Sequence, residues 1–348
     1  MNMPKLVGAP TENEICSVVT NGKLLTLWVE IPPHCHLNCG FCFNNGGNQV
    51  IGPNALTKLD YSNILQEFAN MGGKTLAIPG NGEPLYKKNL RVTLHILDYA
   101  KELGIRTTLF TTGDLVDVKI ASRLYETGVS LMVKFNSFHA SVQDQLVGNS
   151  RYTERRKKAL KIISDIGFMQ RLNGFTRIGF VTSILPENTV EIPQIWQYCL
   201  ENNIAPDIDL ILPLGRSDGN SEFLVAADTV NQISSSLTGN NMCSPTYLGE
   251  KGCQRPQYGL YMDYTGSIYP CLGCKDKSHS GSYIPLGEKS LSTAWNLPLM
   301  QKIRSREYSG TCAECANFKN GDCSSCFGRC CIGCTEETVT MEKCMFFR

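Results

Sequence analysis

The sequence predicts an α/β fold, a parallel sheet built from six strand–helix units and followed by a small cysteine-rich segment. Three observations carry this reading. Six short runs rich in Val, Ile, Leu, Thr and Phe punctuate the first two-thirds of the chain, as buried parallel strands do. Amphipathic stretches of helical period lie between them. Beyond about residue 240 both patterns stop, and glycine, cysteine and short turns take over.

In order, strands are expected at residues 24–31, 74–78, 105–111, 130–136, 176–184 and 207–212. Helical faces are marked by Ile64, Leu65, Phe68 and Met71, by Val92, Ile96, Tyr99 and Leu103, and by Ile192, Ile195, Trp196 and Cys199. Gly104, Gly128 and Gly167 stand where helices end, because glycine accepts the left-handed backbone of a helix C-terminus. A last helix is expected over about 221–235. Serial strand–helix units imply right-handed crossovers. Six are too few for a closed eight-stranded barrel, so a partial barrel and an open sheet both fit, and either puts ligand chemistry at the C-terminal ends of the strands. Residues 258–269 read as a hairpin with its turn at Asp263-Tyr264-Thr265-Gly266. The expected organisation is an N-terminal segment 1–23, a main domain 24–240 and a cysteine-rich domain 241–348. The last has little core of its own and needs staples such as metal sites.

The chain has 348 residues, 42% hydrophobic and 19% charged, enough for a sizeable core. Its net charge of +1 argues against a protein that works by gripping nucleic acid or anionic membrane electrostatically. No apolar run is long enough to span a bilayer and the N-terminus does not resemble a signal peptide, so the expected compartment is the cytoplasm. Five of the 17 cysteines fall before residue 243 and twelve from Cys243 onward. Clustered cysteines in a reducing compartment hold metal more often than they pair.

The first cluster, Cys35-His36-Leu37-Asn38-Cys39-Gly40-Phe41-Cys42, directly follows the first strand with spacing C-x3-C-x2-C. Three thiolates in eight residues can wrap one face of an iron–sulfur cubane and leave one iron open to a small molecule. The alternative is zinc, with His34 or His36 as fourth ligand.

This motif resembles that of the radical S-adenosylmethionine (SAM) superfamily, in which an aromatic residue commonly precedes the last cysteine, as Phe41 does here. The resemblance implies a partial (β/α)6 TIM-like barrel and a catalytic [4Fe-4S] cluster on Cys35, Cys39 and Cys42. It also implies SAM bound at the open iron, and reductive cleavage of SAM to a 5′-deoxyadenosyl radical that takes a substrate hydrogen. Gly80-Asn81-Gly82-Glu83-Pro84, just past the second strand, is similar to the family's Gly-Gly-Glu element, with Asn81 in place of a glycine. Gly80 and Gly82 permit close backbone approach, and Glu83 can accept hydrogen bonds from the SAM ammonium group. Relatives often place a serine where Lys134 stands, so Asn136 or Ser137 is the implied substitute contact to SAM.

The last third resembles the SPASM extension of the same superfamily, which holds auxiliary [4Fe-4S] clusters. Cys253, twelve residues, then Gly266-Ser267-Ile268-Tyr269-Pro270-Cys271 fits its first half; Cys312-Ala313-Glu314-Cys315 and Cys326-Phe327-Gly328-Arg329-Cys330 fit the second. The family's interlocked pattern implies Cys243, Cys253, Cys271 and Cys330 on the nearer cluster and Cys312, Cys315, Cys326 and Cys344 on the outer one. Cys323 can replace Cys326, and Cys274, Cys331 and Cys334 are rivals. One or two auxiliary clusters fit, as do two zinc sites.

Among the remaining residues, Cys199 reads as a buried small hydrophobe and Cys16 as part of an N-terminal loop. Arg151, Arg155, Arg156, Lys157, Lys158 and Lys161 read as a solvated helix face. The expected function is a radical SAM oxidoreductase or epimerase in natural-product biosynthesis that oxidises, cross-links or epimerises a ribosomally made peptide. A small-molecule dehydrogenase or epimerase acting on an aminocyclitol, aminoglycoside or sugar is the alternative, and a non-catalytic zinc-binding module the rival outside enzymology. The expected partners are the substrate and a one-electron reductant such as flavodoxin or ferredoxin, with no nucleic acid and no membrane.

Overall fold

The six expected strands form, and they lie side by side in parallel. The computed structural model describes residues 3–47, 51–211, 214–238, 254–275, 290–307 and 311–320. The chain opens with β1 (Lys5–Leu6), α1 (Glu12–Asn21), β2 (Thr26–Val29), α2 (Lys58–Asn70), β3 (Thr75–Ile78), α3 (Leu90–Glu102) and β4 (Arg106–Thr111). It continues through α4 (Val118–Thr127), β5 (Ser130–Lys134), α5 (Ala140–Val147), α6 (Tyr152–Ile166), β6 (Phe175–Thr176), β7 (Ile178–Ile184), α7 (Ile192–Glu201), β8 (Ala205–Leu210) and α8 (Ala227–Thr238). The described part of the last third holds α9 (Arg255–Tyr258), β9 (Gly259–Met262), β10 (Ile268–Tyr269), α10 (Leu291–Trp295), α11 (Pro298–Ser305), α12 (Thr311–Glu314) and α13 (Ala316–Lys319).

One eight-stranded sheet runs β10-β9-β2-β3-β4-β5-β7-β8, and only the β9–β10 pair is antiparallel. This is the partial barrel, extended at one edge. The hairpin expected at 258–269 forms, but β9 adds in parallel to β2, with Thr26 opposite Gly259 and Val29 opposite Met262. Asp263 builds the hairpin turn: its Oδ1 accepts from Thr265 N at 2.9 Å and from Ser267 N at 3.0 Å.

Alternation along the strands sorts side chains onto two faces. Leu131 and Val133 of β5, with Ile178 and Phe180 of β7, join the large core under the helices, beside Leu65, Phe68, Ile96, Ala121 and Ile163. Full burial of each such side chain is worth roughly 1.5–3 kcal/mol. The other face carries Met132, Val181 and Ala205, packed against Leu6. Gly8 N donates to Ser130 Oγ at 2.9 Å, so the N-terminal segment covers the N-terminal ends of the strands and leaves the opposite end for chemistry.

Three local expectations need correction. Cys16 lies on a helix, α1, whose Thr11–Glu14 capping box was legible in the sequence. The expected strand 176–184 is two strands: β6 pairs with β1, and β7 with β5 and β8. The break falls at Arg177, whose guanidinium turns to the Val129 and Tyr125 carbonyls. The helix expected over 221–235 is a short turn at Ser221–Phe223 followed by α8, because Leu224 is extended.

Candidate active site

The path from β2 into the cysteine motif is set by Pro32-Pro33, which keeps the chain extended and ends the ladder. The chain then folds over the C-terminal edge of the sheet. Gly47 N donates to the Pro33 carbonyl at 2.7 Å and Cys42 N to the Cys39 carbonyl at 3.3 Å, closing the loop on itself. Backbone donors face the sulfurs: Leu37 N lies 3.5 Å from Cys35 Sγ, and Gly46 N lies 3.3 Å from Cys42 Sγ. A side chain at Gly46 would come within 3.0 Å of the Asn81 carbonyl oxygen and 3.8 Å of Cys42 Sγ. Burial, then the neighbouring Cys42 and Cys35, push the Cys39 thiol up to about 12. Cys39 therefore stays protonated unless a bound cation draws it down, as metal ligation does.

The Gly80-Asn81-Gly82-Glu83 turn packs directly on this loop. Gly80 has φ +73°, and a Cβ at Gly82 would sit 2.3 Å from the His34 carbonyl oxygen. Glu83 N donates to that same oxygen at 2.8 Å. Asn89 joins the two motifs: its Nδ2 donates to the carbonyls of Pro32, His34 and Glu83, each at 3.0 Å. The Glu83 carboxylate accepts from Thr111 Oγ1 at 2.6 Å, Thr112 N at 2.7 Å and Leu85 N at 3.0 Å. Burial nonetheless raises its pKa. Asn81 is 1% exposed, and its Oδ1 and Nδ2 have no hydrogen-bond partner among the described residues. An orphaned buried amide beside backbone that only glycine permits is what a site shaped for a small polar ligand provides.

His36 does not suit the zinc alternative. Burial opposes its charge, but the hydrogen bond to Asp114 prevails and its pKa rises to about 9. Its Nε2 contacts Asp114 Oδ2 at 3.0 Å. Arg155 Nη2 donates to the same oxygen at 2.8 Å. Nε2 is thereby committed to the carboxylate, and a metal would have to displace Asp114 to reach it. Among the described residues, no three His, Cys, Asp or Glu side chains converge on a position for a single metal ion.

Two features of the site carried no sequence signal. Arg216, just past β8, donates from Nε to the Cys39 carbonyl at 2.8 Å and from Nη1 to the Gly46 carbonyl at 3.2 Å. Glu30 is buried at the end of β2, where Asn44 Nδ2 (3.4 Å), the Tyr261 hydroxyl and Lys275 Nζ all donate to its Oε1. Both are long-range contacts with no local pattern.

Of the other expected contacts, Phe41 is buried, edge-on to Phe223 with centroids 6.2 Å apart. Lys134 Nζ lies 5.9 Å from the Phe41 ring centre. Ser137 donates from Oγ to Glu191 Oε1 at 2.6 Å, and Asn136 Oδ1 accepts from Ser183 N at 2.9 Å. Asn136 Nδ2 has no hydrogen-bond partner among the described residues. Lys134 donates to Ser183 Oγ at 3.3 Å on the barrel's inner face, near Asp207 and Asp209. Burial depresses the Lys134 ammonium, while burial and Asp209 push Asp207 up to about 7.

In the last third, Cys271 and Cys274 are described, their sulfurs 3.5 Å apart. Cys315 precedes α13 and is half-buried. Cys312 is on α12, its side chain outside the described residues. Cys243, Cys253, Cys326, Cys330 and Cys344, with Cys323, Cys331 and Cys334, also lie outside them.

The model of the Radical SAM superfamily matches residues 29–191, and that of the SPASM iron-sulfur cluster-binding domain matches 253–316. In sequence, the chain is 21% identical over 375 residues to an AdoMet-dependent heme synthase of Oleidesulfovibrio alaskensis, spanning 98% of this chain and 88% of that protein. It is 23% identical over 182 residues to an Fe-coproporphyrin III synthase of Methanosarcina barkeri, spanning 52% of this chain and 42% of the relative. In structure, it resembles Streptococcus suis SuiB bound to S-adenosylmethionine, with TM-score 0.66, 18% identity and coverage of 91% of this chain and 76% of that one. It also resembles anSMEcpe with bound AdoMet, with TM-score 0.61, 13% identity and coverage of 85% and 88%.

Proposed function

We propose that this chain, a radical SAM enzyme whose radical SAM domain is followed by a SPASM domain, modifies a ribosomally made peptide by oxidation, cross-linking or α-carbon epimerisation. The two domains imply a catalytic [4Fe-4S] cluster, SAM and auxiliary clusters. When bound, the cluster and SAM supply reductive cleavage to methionine and a 5′-deoxyadenosyl radical that takes a substrate hydrogen.

The observation that carries the reading is the closure of two motifs into one site: the cysteine loop and the Gly80–Glu83 turn share the His34 carbonyl. Cys35, Cys39 and Cys42 would hold the cluster. Gly80 and Gly82 let backbone approach the ligand, the Asn81 amide offers a donor and an acceptor, and Glu83 offers a buried carboxylate. Lys134, Ser183, Asp207 and Asp209 form a polar wall on the inner face of the barrel, toward a substrate. A flavodoxin or ferredoxin would supply the electron.

A peptide substrate draws support from SuiB bound to its precursor peptide SuiA, whose fold this chain shares with TM-score 0.65. A small-molecule substrate is the second reading, favoured by the relative named a heme synthase, which matches along 98% of this chain.

The test is anaerobic. The protein is reconstituted with iron and sulfide, reduced with dithionite in the presence of SAM, and assayed for 5′-deoxyadenosine. A Cys35→Ala/Cys39→Ala/Cys42→Ala variant is the control. Nucleoside formed by the parent alone supports the reading, whereas zinc bound stoichiometrically without nucleoside would sink it. With a candidate peptide, loss of two hydrogens marks oxidation or cross-linking, and unchanged mass with deuterium uptake in heavy water marks epimerisation.

A further inference from the structure

We propose that Lys275 is a positioning residue for the catalytic cysteine loop: with Glu30 it fixes Asn44, and so the turn that aims the Gly46 N–H at the Cys42 sulfur. This rests on the proposed function, in which that loop holds the catalytic cluster.

Glu30 is the anomaly that points here. It is the first residue past β2, a fully buried carboxylate between Val29 and Ile31, which are buried as well. A carboxylate persists inside a protein only where other groups satisfy it. Three of its donors come from the cysteine-rich domain, 231, 234 and 245 residues along the chain. The Tyr261 hydroxyl and Lys275 Nζ donate to Oε1, and Tyr264 N donates to Oε2 at 3.4 Å. A further donor, Asn44 Nδ2 at 3.4 Å, comes from the cysteine loop. The backbone of Glu30 is held too: its N–H donates to the Met262 carbonyl at 2.9 Å, and its carbonyl accepts from the Tyr61 hydroxyl at 2.8 Å. Glu30 is therefore a fixed joint between the sheet, the cysteine loop and the cysteine-rich domain.

Lys275 completes that joint. Asn44 is 5% exposed, and its amide is engaged at both ends: Nδ2 donates to Glu30, and Oδ1 accepts from Lys275 Nζ at 3.2 Å. An ammonium beside both the carboxylate and the amide oxygen decides which way the amide faces, because it can only donate. From Asn44 the chain turns back on Cys42. Asn45 takes a left-handed φ of +53°, and Gly46 N then lies 3.3 Å from Cys42 Sγ. Hydrogen bonds to the sulfurs help to set the potential of an iron–sulfur cluster. Arg216 holds the far side of this turn through Asn45 Oδ1 and the Gly46 carbonyl. Lys275 is its counterpart from the cysteine-rich domain.

The experiment compares the full-length parent with Lys275→Met, with Asn44→Ala and with the two combined. Methionine keeps the packing of the stem and removes the ammonium. Hydrogen exchange of the peptide 42–47 is read in the iron-free chain. The midpoint potential of the catalytic cluster, the one absent from Cys35→Ala/Cys39→Ala/Cys42→Ala, is read after reconstitution with iron and sulfide. In Lys275→Met, exchange should be roughly tenfold faster, the factor that loss of one hydrogen bond gives, and the potential should shift. Asn44→Ala should do the same, and the combination no more than either alone, because the two residues act through one contact. Parental exchange and potential in Lys275→Met overturn the proposal. So do effects that simply add, and so does a shift confined to the auxiliary clusters. A Lys275 that merely neutralises Glu30 makes a different prediction: Glu30→Gln/Lys275→Met would regain the parental values. The proposal expects the changes to persist there, since Asn44 Oδ1 has still lost the ammonium. That double variant buries no unpaired charge, so it decides the matter if Lys275→Met does not fold, with far-ultraviolet circular dichroism as the check. Failure of the parent to cleave SAM would remove the proposed function and leave the exchange comparison standing.

Discussion

Arg216 Nε donates to the Cys39 carbonyl at 2.8 Å across 177 residues of sequence. The same guanidinium reaches Asn45 Oδ1 at 3.3 Å and the Gly46 carbonyl at 3.2 Å, and Arg216 N donates to the Cys42 carbonyl at 2.8 Å. The segment after β8 thereby clamps the cysteine loop, which has no regular secondary structure of its own. Gly215 makes the approach possible, since a Cβ there would lie 2.5 Å from the Phe43 carbonyl oxygen.

The clamp predicts the behaviour of Arg216→Gln. Charge-assisted hydrogen bonds contribute about 1.5–3 kcal/mol, and losing them frees the loop. The variant should take up fewer irons at the catalytic site and show a broadened reduced-cluster spectrum, with auxiliary iron unchanged. Arg216→Lys should rescue little, because an ammonium cannot span the fork. Parental iron and spectrum in Arg216→Gln would mean that the clamp is incidental.

Glu83→Gln separates SAM binding from cluster binding. The new amide places N–H groups against the Thr111, Thr112 or Leu85 donors, at a cost of about 1–3 kcal/mol. Cluster iron should stay at the parental level, since Glu83 lies outside the cysteine loop. SAM cleavage should fall tenfold or more, as about 1.4 kcal/mol at the site suffices for that. Equal losses of iron and cleavage would instead mark Glu83 as a support for the loop alone.

The Glu14–Arg106 pair predicts a pH dependence. It ties α1 to β4, with Glu14 Oε2 accepting from Arg106 Nη2 at 2.6 Å. Burial alone would raise the Glu14 carboxyl, but the Arg106 and Thr11 contacts outweigh it and hold the pKa below the ordinary 4.5. The stabilisation is therefore full above the unfolded-state value and fades as pH falls through the lower, folded one. Both side chains are partly exposed, so screening limits the effect to about 0.5–1 kcal/mol. Glu14→Gln should lower the melting temperature slightly at pH 7, and the two melting curves should merge in acid. A gap that persists at low pH would assign the effect to the helix cap instead.

What was legible in the sequence is what is local. The alternation of Leu131, Met132 and Val133 marks a strand with two apolar faces, and Cys35, Cys39 and Cys42 declare themselves by spacing. Gly80 and Gly82 declare a tight βα turn. What was not legible is who reaches across. Asn89 reads only as a residue before a helix, yet its amide joins Pro32, His34 and Glu83. Lys275 carries no signal in the sequence, yet it is paired with buried Glu30. Charge patterning also misled over the basic run, because one charge in it faces inward.

That inward charge supports the sharpest test of the reading. Of the run on α6, Lys157, Lys158 and Lys161 are exposed, but Arg156 is 1% exposed and Arg155 is half-buried on Asp114. Arg156 Nη1 donates to Gln143 Oε1 at 2.7 Å and to the Lys134 carbonyl at 3.2 Å, and Nη2 donates to the Ser137 carbonyl at 3.2 Å. Its guanidinium lies 4.1 Å from the Phe135 ring centre. The Gln143 oxygen in turn accepts from Asn136 N at 2.8 Å and Ser137 N at 3.2 Å, so one buried cation fixes the whole turn after β5. Arg156→Met would keep the packing on Phe135 and leave these neutral buried acceptors short of a donor, costing about 1–3 kcal/mol, as unsatisfied buried polar groups do. Lys157→Ala should cost less than about 0.5 kcal/mol, as an exposed substitution does. Thermal unfolding of the two variants beside the parent decides the matter. A large drop for Arg156→Met alone is expected, and equal small drops would return the entire run to a solvated face.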